Sequence, residues 1–575
     1  MTPARHRVLA VLILAAGVLF EPIDRRLLAS GPGPPSGQEP ARALLPPRVG
    51  IQPADPVSLT MEEAIRLTLE QNNDVAVARL ERQAATEDVR AAEGVFDPRL
   101  VPSFGYERVT APVASVIGGA QNGRVEETRA TGGLQLAGRS PWAGGRYTLD
   151  FSSTRFESTN QNLRLNPQYP ASLAAVFVQP LFRGRGIDQE RRAILLAQTS
   201  ADLTEAQLRR VLIEQLALVE QAYWDLTFAA GNLDVQATAL AQARSQSESN
   251  ERQVRAGTLA PIDVIEAQTQ VSRFEQAVAT AQQALTEAEN RLKRLMLPDR
   301  GSPLWSRALV PSGSVDRPLP TLSLEEAVAA ALGRRPELEE VRAAAAQNEI
   351  DLRFFANQGL PQADLVASYS LAGLAGTFAP AVTNPLGGSD AAVRARLNEL
   401  SARAGFDPLP ENPAPSSRVP DILVGGYGGS FANIWNRRFP TASIQLQLEL
   451  PIGNRTAGAN LARSRLLAQR IVQQRHQVEQ AIEAEVRDAV QAIRSSQLRL
   501  QAAGSASRNA REQYESERRR FESGLSTVFL LLERQTALVT AQGEELRARA
   551  DLNQAIVLYD RAVGETLGRH GVAFK

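Results

Sequence analysis

Histidine, cysteine and clustered carboxylates are the usual material of catalysis and metal binding, and this chain offers little of it. Its three histidines, His6, His476 and His570, lie far apart in sequence, and there is no cysteine at all. A thiolate site, a disulfide and a cysteine nucleophile are therefore excluded, and an imidazole metal cluster or a Ser-His-Asp hydrolase lacks its parts. Gly425-Gly-Tyr-Gly-Gly429 resembles a phosphate loop in composition only. No catalytic residue, metal or cofactor is expected, and the chain does not read as an enzyme. One carboxylate suggests a different chemistry. Glu533 lies nine residues beyond Gly524; if several copies converge on an axis, such a group forms an acidic ring that favours cations and repels anions. If they do not, it is an ordinary solvated helix charge.

The elements that would place Glu533 are written twice. Leu59-Thr-Met-Glu-Glu-Ala64 recurs as Leu322-Ser-Leu-Glu-Glu-Ala327, with Ser or Thr beside each start as a helix cap. The register then holds without a gap: Asp74 falls on Glu337, Arg79 on Arg342, Pro98 on Pro361 and Tyr106 on Tyr369. Later, Gln179-Pro-Leu181 corresponds to Leu450-Pro-Ile452, and Ile265-Glu-Ala-Gln-Thr269 to Leu532-Glu-Arg-Gln-Thr536. The first repeat is assigned to 58–320, with strands about 98–182 and a helical hairpin 187–296. The second is assigned to 321–568, with strands about 362–371 and 441–451, an insertion 373–440 and a hairpin 455–565.

From Ile187 to Arg255 there is no proline and one glycine, so a single helix would run about 100 Å at 1.5 Å per residue. Its apolar positions Val219, Tyr223, Leu226, Ala230, Leu233, Ala237 and Leu240 alternate four and three apart, which is coiled-coil spacing. The returning stretch answers with Phe274, Val278, Ala281, Leu285, Ala288 and Leu292, and the second repeat with Ile482, Val486, Ala489 and Ile493 against Leu532, Thr536 and Val539. Gly257 and Gly524 sit where each chain must reverse.

Ile444, Leu446, Leu448 and Leu450 alternate with Gln445, Gln447 and Glu449, a strand with one apolar and one polar face. Tyr147, Leu149 and Phe151 alternate likewise, while segments near Phe104 to Tyr106, Leu173 to Leu181 and Leu365 to Tyr369 are less regular. No later segment is apolar for long enough to be a membrane helix, so a membrane crossing must be by strands. Four to six strands per chain fall short of the roughly eight that close the smallest membrane barrels. Several copies must therefore pool their strands, with Gln445, Gln447 and Glu449 facing a wet lumen. The fold class is mixed α and β: long coiled-coil hairpins plus strands of an oligomeric barrel. The alternative is a periplasmic coiled-coil scaffold or adaptor without a pore.

The N-terminus supplies a compartment. Arg5-His-Arg7 precedes an apolar run, Val8 to Phe20, in the layout of a secretory signal assigned to 1–30. A Pro- and Gly-rich stretch, 31–57, follows as a mobile lead-in. Lys plus Arg equals Asp plus Glu at 63 each, which disfavours a nucleic-acid partner.

These residues resemble the TolC-like outer membrane efflux proteins over nearly all of the chain after about Ser58. The repeated Leu-x-x-Glu-Glu-Ala starts, Gln179-Pro-Leu-Phe-Arg-Gly-Arg-Gly186 and Arg255-Ala-Gly-Thr-Leu-Ala-Pro-Ile-Asp263 carry the resemblance. It implies a homotrimer in outer-membrane lipid, its strands in one barrel and its helices in a periplasmic tube. It also implies a periplasmic adaptor and an inner-membrane pump or ABC transporter as partners, in efflux or type I secretion. Docking then falls to the hairpin tips, Arg255, Gly257, Thr258, Leu259, Asp263, Gly524, Leu525 and Ser526. This chain departs from the family at Leu530, where an acid is usual, and at Phe521 and Ser526, where Tyr and Arg partners of the first-tip acid are usual.

Overall fold

The computed structural model describes residues 48–114, 118–120, 122–313, 317–320, 323–379, 390–409 and 419–572. The assigned signal segment and most of the lead-in lie outside the described residues. The first repeat opens with β1 (Gln52–Leu59), α1 (Met61–Gln71) and α2 (Asn73–Glu93). Thr60 caps α1 by accepting from the Glu63 N–H, and Asn72 caps α2 by accepting from the Val75 N–H. Strands β2 (Arg99–Pro112), β3 (Arg124–Arg139), β4 (Arg146–Ser158), β5 (Leu165–Gln168) and β6 (Ala171–Pro180) follow. The hairpin comprises α3 (Gln189–Arg255), 67 residues long, and α4 (Pro261–Met296).

After β7 (Arg307–Pro311) the pattern restarts with α5 (Leu324–Arg334) and α6 (Pro336–Gln358). Ser323 and Glu326 form a reciprocal capping box at the start of α5. Strands β8 (Gln362–Gly373) and β9 (Gly376–Phe378), helices α7 (Asp390–Arg403) and α8 (Tyr427–Trp435), and β10 (Phe439–Glu449) follow. The second hairpin is α9 (Arg455–Glu522) and α10 (Val528–Val563), closed by the short α11 (Thr566–Arg569).

The heptad seam is the core. Val219, Tyr223, Leu226, Leu233, Ala237 and Leu240 of α3 are buried, largely against Phe274, Val278, Ala281, Leu285 and Leu292 of α4. In the second repeat Ile482, Val486, Ala489 and Ile493 pack with Ile556 and Tyr559. Thr536 stands outside this seam, where its hydroxyl accepts from Gln270 Nε2 at 2.8 Å.

One expectation is corrected here: residues 52–57 are not a mobile lead-in but most of β1, which pairs in parallel with β7. Pro53 and Pro56 do not prevent this, because the register slips between Gln52 and Val57 and the ladder takes no pair from the residues in between. The Tyr223 hydroxyl fastens the junction, 3.1 Å from the Leu59 carbonyl and 2.8 Å from that of Ser312. Buried Lys293 donates to the Trp305 and Arg307 carbonyls beside β7 and pairs with Glu289 at 2.6 Å.

Candidate channel wall and hairpin tips

The main sheet runs β10-β8-β6-β4-β3-β2, every neighbour antiparallel, with the short β5 and β9 as a side branch. Among the described residues six strands lie on this path, within the four to six expected, because β5 and β9, of 4 and 3 residues, are too short to cross a membrane. Six fall short of the roughly eight that close the smallest membrane barrels, and topology points the same way. β2 and β10 stand at the two ends of the path, and among the described residues each pairs with one strand. Both are almost wholly exposed along their length. β2, β8 and β10 have 14, 12 and 11 residues, and a tilted membrane strand needs about 9–11.

Register sorts the two faces. Ala442, Tyr369, Ala175, Leu149, Leu136 and Leu100 form one cross-strand row. The adjacent row, Thr441, Ser370, Ala174, Asp150, Gln135 and Val101, points to the opposite face because side chains alternate. Exposed Ile444, Leu446, Leu448, Leu365, Phe177 and Phe104 belong to the first face. Gln445, Gln447 and Glu449 belong to the second, where Gln135 donates to Asp150 at 2.7 Å and the Ser152 and Ser172 hydroxyls meet at 2.8 Å. Glu449 also approaches Arg183 at 3.5 Å.

The tips are built alike. Gly257 has φ +77° and Gly524 φ +74°, the left-handed region that glycine enters without penalty. In each, the following N–H reaches back five residues, Thr258 to the Gln253 carbonyl at 2.9 Å and Leu525 to that of Arg520 at 2.8 Å. Leu525 is 72% exposed, whereas Leu259 is half-buried against the turn. Arg255 is exposed, its Nε donating to the Glu251 carbonyl. The Asp263 carboxylate caps α4, accepting from the Ala260 N–H at 3.1 Å, and the Ser526 hydroxyl donates to Glu517.

Glu533 is exposed and lines a groove of about 730 Å³ between α4 and α10, with Ile265, Gln270, Arg273, Phe529 and Glu544. No motif in the sequence marks this groove. Its signal was available in Ile265 and Phe529, apolar residues exposed by 57% and 61%.

A cluster that sequence reasoning also missed lies where α3, α10 and α11 meet. Glu220 and Asp560 are 1% and 2% exposed. Arg317 reaches Glu220 at 2.5 Å and Asp560 at 3.9 Å, His570 Nε2 lies 2.7 Å from Glu220, and Arg569 lies 2.8 Å from Asp560. Neither Asp560 oxygen accepts a hydrogen bond despite these cations. Burial pushes its carboxyl from 3.8 up to about 6.

The sequence model of the outer membrane efflux proteins matches residues 146–296 and 430–565, both halves of the duplication. The chain belongs to the outer membrane efflux protein family. Membership places it in the outer membrane as an efflux duct, with its helical part in the periplasm, and the family is one of channel proteins. Solved structures share the family fold. The CmeC outer membrane channel of Campylobacter jejuni aligns with TM-score 0.58 at 14% identity over 88% of this chain and 86% of its own. VceC of Vibrio cholerae gives 0.55 at 15% over 88% and 96%, and the open MtrE channel of Neisseria gonorrhoeae 0.55 at 15% over 88% and 89%. No curated protein matches in sequence.

Proposed function

We propose that this efflux protein is a passive homotrimeric duct, in which three copies join β2 of one to β10 of the next and close a single water-filled barrel. The two bare sheet edges carry this reading. In hydrocarbon each unpaired backbone group costs several kcal/mol, so an open sheet of this length is not viable alone. β2 and β10 run in opposite directions within the chain, as continued antiparallel pairing requires. The apolar face then meets lipid, and Gln445, Gln447 and Glu449 line the lumen. A scaffold without a pore would leave the apolar sheet face without a purpose.

The helical tube carries solute towards that barrel. Its tips, Arg255, Gly257, Thr258, Leu259 and Asp263 on one hairpin and Gly524, Leu525 and Ser526 on the other, dock a periplasmic adaptor. The adaptor couples them to an inner-membrane pump or ABC transporter, in tripartite efflux or type I secretion. Bare Leu525 supports the docking role, since it has no core of its own to enter. Glu533 supplies one carboxylate per copy near the tube's end. The native chain has no cysteine, so variants carrying one cysteine on β2 and one on β10 report cleanly. Disulfides between copies, forming a covalent trimer from β2 and β10 pairs and from no β3 and β8 pair, are the expected result. A pure monomer that conducts ions in bilayers would overturn the proposal.

A further inference from the structure

The insertion between β8 and β10 holds a nine-residue helix whose position the duct does not explain. α8 packs on the sheet's apolar face, not its polar one: Ile434 is buried with Ala171 and Leu371, and Phe431 meets Phe151 at 5.8 Å between ring centres. Gly373 permits the approach, because a Cβ there would collide with the Ser430 carbonyl oxygen. Asn433 Nδ2 fixes the helix further, donating to the Leu374 and Ile422 carbonyls at 2.9 Å each.

The place is specific. Along β4 the apolar face reads Tyr147, Leu149, Phe151, then Ser153, Arg155 and Glu157. Along β2 it reads Leu100, Phe104, Tyr106, then Arg108, which pairs with Glu126 at 2.8 Å. α8 thus lies where the lipid-facing surface turns from apolar to charged, at the sheet end away from the long helices. Its buried side is Ser430, Asn433 and Ile434. Along its flank run Tyr427, Phe431 and Trp435, one helical turn apart and exposed by 41%, 41% and 86%; the first two rest one edge on Tyr169 and Phe151 and turn the other outward. Arg437 and Arg438 follow immediately and are exposed.

We propose that α8 is an interfacial collar, its Tyr427, Phe431 and Trp435 stripe seated at the boundary between headgroups and acyl chains of the outer leaflet, with Arg437 and Arg438 on lipid phosphates. Amphipathic aromatic rings favour this depth, and short helices with cations beside an apolar stripe lie flat in it. The stripe continues the apolar face that the outer-membrane location already assigns to lipid. The collar rests on the barrel reading and adds to it a lipid contact outside the wall.

Tryptophan emission tests it in the full-length protein, reconstituted in phosphatidylethanolamine and phosphatidylglycerol vesicles containing brominated phospholipid. Trp142→Phe removes the exposed indole at the opposite end of the sheet, leaving Trp224, Trp305 and Trp435. Bromine high on the acyl chains should quench this protein more strongly than bromine near the chain ends, and adding Trp435→Phe should abolish most of the quenching. Trp435 emission quenched by aqueous iodide and not by brominated lipid overturns the collar, as does emission shielded from both, which would place a second copy over the helix. Conductance of the same vesicles separates the two readings: conducting vesicles with unquenched Trp435 remove the collar alone, and vesicles that never conduct remove the barrel.

Discussion

Asp560 is a buried carboxylate held at a cost, and removing its charge should stabilise the helical part of the protein at neutral pH. Its folded-state pKa rises from 3.8 to about 6 because burial disfavours the anion more than Arg569 and Arg317 favour it. At about 1.4 kcal/mol per tenfold change in proton affinity, that rise is worth roughly 3 kcal/mol. The sign follows from the direction. A group that binds its proton more tightly when folded adds stability in full below its unfolded pKa, and that contribution disappears as pH rises through the folded pKa. For Asp560 the window is therefore about pH 4 to 6. Asp560→Asn imitates the protonated side chain at every pH, so the variant should gain up to roughly 3 kcal/mol over the parent above pH 7 and nothing near pH 4. Glu220, Glu565, Arg317, Arg569 and His570 face the same site and remain in both proteins, so the difference between the two curves isolates Asp560. Guanidinium unfolding followed by tryptophan fluorescence at a series of pH values supplies both curves. A variant less stable than the parent at pH 8, or a difference that does not change between pH 4 and 7, would refute the reasoning, because the arginines would then need the charge more than burial resists it.

Three further outcomes are expected. Gly257→Val and Gly524→Val each force a β-branched residue to φ above +70°, a strain of roughly 1–2 kcal/mol confined to a turn; export of a reporter solute should fall while the oligomer on native gels stays intact, and unchanged export removes the tips from docking. Glu533→Gln should lower the cation-to-anion permeability ratio of single channels if the carboxylates converge, and leave it unchanged if Glu533 is merely solvated. Leu446→Lys puts a charge on the lipid face at a cost of about 2–4 kcal/mol near the membrane midplane, so its recovery in outer-membrane fractions should drop, whereas Gln445→Lys on the lumen face should insert normally.

What could be read from the residues was what repeats locally. The heptads of α3 and α4 span tens of residues, so their burial pattern survives individual exceptions such as Ala230, which is only partly buried. β10 was legible because Ile444, Leu446 and Leu448 alternate without a break against Gln445, Gln447 and Glu449. β2 is just as long a strand, yet Pro102, Ser103 and Gly105 interrupt its pattern, and its partner β3 supplies the order. The features that sequence reasoning missed depend on distant partners. β1 is a strand only because β7 lies about 250 residues further on. Glu220 and Asp560 look like ordinary charges within apolar runs until the fold brings Arg317 to both. Asp263 belongs to a tip motif, yet its oxygen is already engaged by the Ala260 N–H, so a docking role must act through the turn it stabilises. α8 is the extreme case. Gly428 and Gly429 disfavour a helix by about 1 kcal/mol each, and nine residues are too few to be stable alone. The helix exists because Gly373 lets it lie on the sheet, so its position on the lipid side is a property of packing that no local pattern could have announced.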